Sequence, residues 1–305
     1  MSRSGFAAPS TRGFSRPAWN GPPRRPDGSA ARMIPSVAPV ADRGQNQYVG
    51  TAAEEAVAER VRSRETSQLS RLSLEAPRVP WDVFLRDVLQ WRNGEHFALI
   101  GPTGGGKTTM ARALLPLHYY VTVFATKPYD DTMDALIRSG YYRMDQWRSI
   151  PADEYPKRVV WPNIARLKGK QERLELQRRV FDNAFDAIFL EKGWTLYLDE
   201  LWYFSNRLNM DGWVEEYLSQ ARSLSISLIV ATQRPAFIPL MVYDQSTHLM
   251  FWRDNDEANL RRLSGISFRS ADLIRSIVSN LEPHQVLYIN TRTGRMYRTR
   301  GPDIR

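Results

Sequence analysis

The stretch that most constrains this chain is Gly101-Pro102-Thr103-Gly104-Gly105-Gly106-Lys107-Thr108-Thr109, which satisfies the pattern G-x-x-x-x-G-K-[ST] between Gly101 and Thr108. A short apolar run, Phe97 to Ile100, leads into it, and Met110 to Leu115 leads out with helical composition. A glycine-rich loop between a strand and a helix has a mechanical meaning. Its backbone can curl so that successive N–H groups point inward at a phosphate, and the helix N-terminus adds partial positive charge. Lys107 then has the reach for the β- and γ-phosphates, and the Thr108 hydroxyl for Mg²⁺. The motif predicts a nucleoside triphosphate cradled by Gly101 to Thr109.

A phosphate loop needs a second acidic residue to organise its metal. Trp194-Thr195-Leu196-Tyr197-Leu198-Asp199-Glu200 reads as a strand closed by two carboxylates. Asp199 is the expected metal-organising residue. Glu200, one step on, faces another side of the strand end and is the candidate general base that polarises an attacking water. A carboxylate pair here points to hydrolysis rather than phosphoryl transfer to another acceptor. Ser227 to Gln233 is a compact apolar strand, and Gln233 at its exit has the polarity to sense a γ-phosphate.

The remaining chain reads as alternating strands and helices. Strands are expected at Tyr119–Ala125, Lys157–Trp161 and Thr247–Trp252, with a final hairpin of Gln285–Asn290 and Gly294–Arg298. Helices are expected at Asp131–Gly140, Gln171–Phe189, Gly212–Leu224, Ala258–Leu263 and Ser270–Val278. Apolar strands alternating with helices imply a mostly parallel α/β sheet covered on both faces. Residues 1–48, rich in Pro, Gly, Ser and Arg, read as a basic disordered arm, either a tether or a solubilising tail. Residues 49–76 read as a linker with an exposed helix, and 77–305 as the folded domain.

Formal net charge is +9, which favours polyanionic partners, nucleic acid first. The chain has no cysteine and four scattered histidines, so neither a disulfide nor a metal site with Cys/His spacing is expected. No apolar run approaches the roughly 18 residues of a membrane helix, and a soluble, cytoplasmic or virion-associated protein is expected.

Gln220-Ala221-Arg222-Ser223-Leu224 running into Ser227–Gln233 and Arg234-Pro235 resembles a segment of the FtsK/HerA superfamily of DNA-pumping ATPases. The glycine loop and Leu198-Asp199-Glu200 stand in the matching order. The resemblance covers about residues 93 to 253. It implies a RecA-like sheet of strand order 5-1-4-3-2, in which the strand ending in Asp199 does not touch the loop strand. It also implies a ring, usually a hexamer, with ATP at the seams. Gln233 takes the position of the sensor, and Arg222 that of an arginine completing a neighbour's site, with Arg234 the substitute. The implied partner is double-stranded DNA, bound without sequence preference, and the compact chain suits viral genome packaging at a capsid portal or vertex, or mobile-element transfer. An assembly ATPase that does not pump DNA and a nucleotide-gated scaffold are the rival readings. Lys127-Pro128-Tyr129 and Trp202–Asn209, with Arg207, are the candidate DNA-contacting loops, and Trp81 and Trp91 are expected in the core more than on a nucleobase.

Overall fold

The computed structural model describes residues 59–60, 63, 75–233, 239–263 and 271–302. The arm, most of the linker, Arg234 and Pro235 lie outside the described residues.

Among the described residues nine strands form one sheet in the order β3-β4-β2-β5-β6-β1-β7-β8-β9. They are β1 (His96–Ile100), β2 (Val121–Phe124), β3 (Tyr142–Met144), β4 (Lys157–Val160), β5 (Thr195–Leu198), β6 (Ser227–Thr232), β7 (Ser246–Trp252), β8 (Gln285–Asn290) and β9 (Arg295–Arg300). All pairings from β3 to β7 are parallel, whereas β7–β8 and β8–β9 are antiparallel. Numbering only the β7-β1-β6-β5-β2 block by chain position gives the expected 5-1-4-3-2 order. β3 and β4 extend it at one end and the hairpin at the other. Among the described residues the α-helices of six residues or more are α1 (Lys107–Leu114), α2 (Asp131–Arg138), α3 (Lys170–Glu191), α4 (Asp211–Leu224), α5 (Leu240–Gln245), α6 (Glu257–Leu263) and α7 (Ala271–Ser279). Among the described residues no helix is long and apolar enough to cross a membrane.

Every residue of β1, β2, β5, β6 and β7 is buried, the pattern of strands covered on both faces. Their side chains alternate between two cores, as the period of two requires. Ala98, Ile100, Leu196 and Leu198 point to one face, where Phe181, Phe185 and Ile188 of α3 and Val214 and Tyr217 of α4 cover them. Phe97, Leu99, Tyr197 and Ile229 point to the other, under Met110, Ala111 and Leu114 of α1 and Met133 and Leu136 of α2. The helices therefore hold the sheet from both sides while the loops at its carboxyl edge stay free for chemistry.

One expectation needs correction. Trp202–Asn209 is not a loop: Tyr203–Arg207 is a π-helical turn, because buried Phe204 and Leu208 pull the segment into the core. Trp81 and Trp91 pack against the core rather than at a nucleotide-sized cleft. Trp81 stacks on Phe84 at 5.4 Å and Trp91 on His118 at 3.8 Å. The edge strand β3 and the helix α5 are additions to the expected elements, both too short to carry a periodic signal.

Candidate functional site

Register places the chemistry. Ile100 lies opposite Thr232, and Leu198 opposite Val230, so β1, β6 and β5 end near one level. Gly101, Gln233 and Asp199 step off these three strands in turn. β6 separates the other two, which sets the loop strand and the Asp199 strand about 10 Å apart at the usual inter-strand spacing. That gap accommodates a phosphate chain and a cation.

Two glycines of the loop are required by its shape. Gly106 caps α1 with φ 109°, a backbone that side chains disfavour. Gly101 lies under Trp252, and a Cβ at Gly101 would fall 2.6 Å from the Trp252 Cβ. Lys107, buried at the start of α1, donates to the carbonyls of Gly101 at 2.6 Å and Pro102 at 2.8 Å. An ammonium has three donors, so one is left for a phosphate oxygen. Burial lowers the Lys107 pKa, and the charges of Glu200 and Asp199 work against that shift. Both carboxylates are thus electrostatically within reach of the loop lysine.

The Tyr197 hydroxyl donates to Asp199 Oδ1 at 3.1 Å. Burial, then the Asp199 charge, raises the Tyr197 pKa well above the usual phenol value, so the phenol stays a donor. One hydroxyl, one carboxylate, phosphate oxygens and water make a donor set that suits Mg²⁺, which keeps much of its hydration and needs no protein cage. Among the described residues no group of three or more His, Cys, Asp or Glu has metal-binding geometry.

Glu200 takes φ 65°, in the left-handed region. A non-glycine residue there costs about 1–2 kcal/mol, and such strain gathers at functional positions. The twist turns Glu200 away from the direction a continuing strand would give it. Gln233 stands beside the loop tip, where Thr103 Oγ1 donates to its Oε1 at 2.6 Å.

Arg222 is elsewhere. It lines a cavity with His96, Asp244 and Arg292, at the amino end of β1, roughly 15 Å of strand away from the loop. Within one chain it cannot reach the Lys107 site, which leaves only action on a neighbouring copy open to it.

A cleft of about 220 Å³ beside the loop has no counterpart among the sequence expectations; it is lined by Gly105, Gly106, Thr109, Met110, Trp252, His284, Gly301 and Pro302. Trp252, only 3% exposed, packs beneath the loop glycines, and His284 borders the cleft next to Gly106. Trp252 reads only as the end of a strand, and His284, distant in sequence and at φ 59°, gives no local signal.

No family model matches the sequence, and no curated protein matches it. Solved structures do resemble the fold. B204, the DNA-packaging ATPase from Sulfolobus turreted icosahedral virus, superposes with a TM-score of 0.52 at 17% identity, over 68% of this chain and 98% of B204. VirB4 of Thermoanaerobacter pseudethanolicus superposes with a TM-score of 0.52 at 11% identity, over 68% of this chain and 89% of VirB4. At these identities the likeness is one of fold, and the fold is the RecA-like sheet architecture expected from the sequence.

Proposed function

We propose that this chain is an ATP hydrolase that drives double-stranded DNA through a ring of its own copies, in viral genome packaging or mobile-element transfer. The observation that carries the reading is the convergence of Lys107, Thr108, Asp199, Glu200 and Gln233 at the carboxyl ends of β1, β5 and β6. The fold likeness to a DNA-packaging ATPase and the net charge of +9 support the choice of cargo.

In this reading the amides of Gly104 to Thr108 and the Lys107 ammonium bind the phosphates. Thr108 and Asp199 would hold Mg²⁺, which would neutralise charge developing on the phosphoryl oxygens. Glu200 orients a water and takes its proton, and Gln233 registers the terminal phosphate through its contact with the loop. The cleft bordered by His284, Gly301 and Pro302 receives the base. Arg222 of one copy completes the site of the next, a contribution worth about 10³–10⁵ in turnover where such arginines act. A hexamer acting in the host cytoplasm or at a capsid vertex fits this division of labour.

The deciding experiment measures ATP hydrolysis with and without long duplex DNA at several salt concentrations. A DNA motor is stimulated, with a steep loss of stimulation as salt rises. Hydrolysis indifferent to DNA indicates an assembly ATPase, and DNA binding without turnover a scaffold.

A further inference from the structure

The two segments singled out as DNA contacts meet in one groove. Its lining brings together Thr126 and Lys127 from the end of β2, Lys170 and Arg173 from the first turn of α3, and Tyr203 and Arg207 from the π-helical turn after Glu200. The groove encloses about 390 Å³. Its floor is fastened by a buried side chain. Gln177, 1% exposed, donates to the Thr126 carbonyl at 2.7 Å and accepts from the Tyr203 hydroxyl at 2.7 Å. The end of β2 and the segment following Glu200 are thereby tied to α3.

The groove is strongly cationic. Lys170, Arg173 and Arg207 form no ion pair with a described residue within 4.0 Å, and Arg207 lies over the Trp202 ring at 5.4 Å. Such cations held on a fixed floor suit a row of phosphates, which are contacted through charge and give position without sequence. An aromatic beside the cations, as Tyr203 is here, adds a surface for a sugar or base.

Lys127 belongs to the groove and to the nucleotide site at once. Its side chain is 62% exposed, and its Nζ lies 3.9 Å from Asp199 Oδ2 and 3.4 Å from Asp130 Oδ2. Asp130 is already committed as the cap of α2, accepting from the amides of Thr132 and Met133. Asp199 is the carboxylate expected to face Mg²⁺. A cation cannot occupy one side of that carboxylate at no cost to another cation approaching it, so Lys127 and Mg²⁺ compete.

Building on the DNA-motor reading, we propose that this groove holds the phosphate backbone of duplex DNA and that Lys127 couples it to ATP binding. A backbone phosphate draws Lys127 off Asp199 and frees the carboxylate for the metal. Coupling of this kind is reciprocal, so metal-bound nucleotide in turn tightens the grip on DNA.

The test uses the full chain and two titrations. In the first, binding of a random-sequence fluorescent duplex is followed by anisotropy against salt, in EDTA without nucleotide. R173Q/R207Q is expected to weaken binding and to flatten the log K against log salt slope by about two, one for each phosphate that the variant no longer neutralises. Should the double variant fail to fold, each single variant is expected to take off about one. The charge-matched control R86Q/R148Q, at exposed cations outside the groove, is expected to bind as wild type. In the second, binding of a non-hydrolysable ATP analogue is titrated with Mg²⁺ in the presence and absence of duplex. Duplex is expected to lower the Mg²⁺ requirement of the wild type several-fold. K127Q is expected to show the lowered requirement without duplex, and K127R to restore the wild-type response.

Unchanged affinity and slope in the groove variants, an equal loss in the control, or a wild-type duplex response in K127Q overturns the proposal. So does a groove defect seen with polyglutamate but not with duplex, which would assign the surface to an acidic protein. If the wild type binds no analogue with Mg²⁺, the nucleotide reading fails and the coupling with it, while the first titration still decides the groove.

Discussion

The Tyr197 hydroxyl donates to Asp199 Oδ1 at 3.1 Å, from the last pleat of β5 to the residue just past its end. A side chain of β5 thereby fixes the carboxylate at the strand exit. Tyr197 touches no phosphate in the proposed site, yet it sets where the Asp199 carboxylate stands. Tyr197→Phe removes the hydroxyl and leaves the ring in the core. Losses of this supporting kind typically cost about 10–100-fold in metal affinity. The expected outcome is a rise of that order in the Mg²⁺ needed for nucleotide binding, with nucleotide affinity in EDTA unchanged, read by calorimetry.

Glu200 permits a comparison that separates strain from chemistry. Glu200→Gln is expected to bind ATP and lose hydrolysis. Glu200→Ala and Glu200→Gly both lose the carboxylate, but only glycine takes φ 65° without penalty. Glu200→Gly is therefore expected to be more stable than Glu200→Ala by about 1 kcal/mol, measured by denaturant titration. The order would be reversed at an ordinary strand or helix position.

Stability is expected to fall on acidification through a definite window. Burial pushes His96 down to about 4, and burial likewise pushes His118 down to about 4. In the unfolded chain both sit near 6.5. Between those values the unfolded state binds more protons, so stability rises with pH from 4 to 6.5 and falls on going the other way. Glu95 acts in the same sense. Burial favours its protonated form, but hydrogen bonds from His248 and the Arg92 amide and the Arg292 charge prevail and lower its pKa. For His96, 2% exposed, the effect amounts to about 3 kcal/mol. His96→Gln is expected to flatten the acid limb of the melting-temperature profile, with little change above pH 7.

Arg222 calls for mixing rather than a single assay. Arg222→Ala is expected to bind ATP and to hydrolyse it poorly. Mixed with Lys107→Ala, it is expected to regain turnover, because a Lys107→Ala copy still offers its arginine to a neighbouring intact loop. Steady-state ATPase across mixing ratios reads the effect, and a flat line speaks against action between copies.

Much of this site is legible in the sequence because its parts are local. The loop pattern spans eight residues, and Asp199 and Glu200 are adjacent at the end of an apolar run. Strand positions are readable for the same reason, since five central strands are buried along their whole length and read as largely apolar stretches. Contributions made across the sheet are hidden. Trp252 and His284 come together beside Gly106 only through the order of β1, β7 and β8. Tyr197 reads as one more apolar strand residue, and nothing local marks its hydroxyl as the donor that holds Asp199. The π-helical turn after Glu200 reads as a loop because its polar residues Ser205, Asn206 and Arg207 mask the burial of Phe204.

The central claim, that one triphosphate is held between the glycine loop and the Asp199 strand end, is tested most directly by titrating a fluorescent ATP analogue against Mg²⁺ in wild type, Lys107→Ala and Asp199→Asn. The account predicts Mg²⁺-dependent binding in the wild type, its loss in Lys107→Ala, and binding that no longer responds to Mg²⁺ in Asp199→Asn. Equal, metal-dependent binding by all three proteins would contradict it.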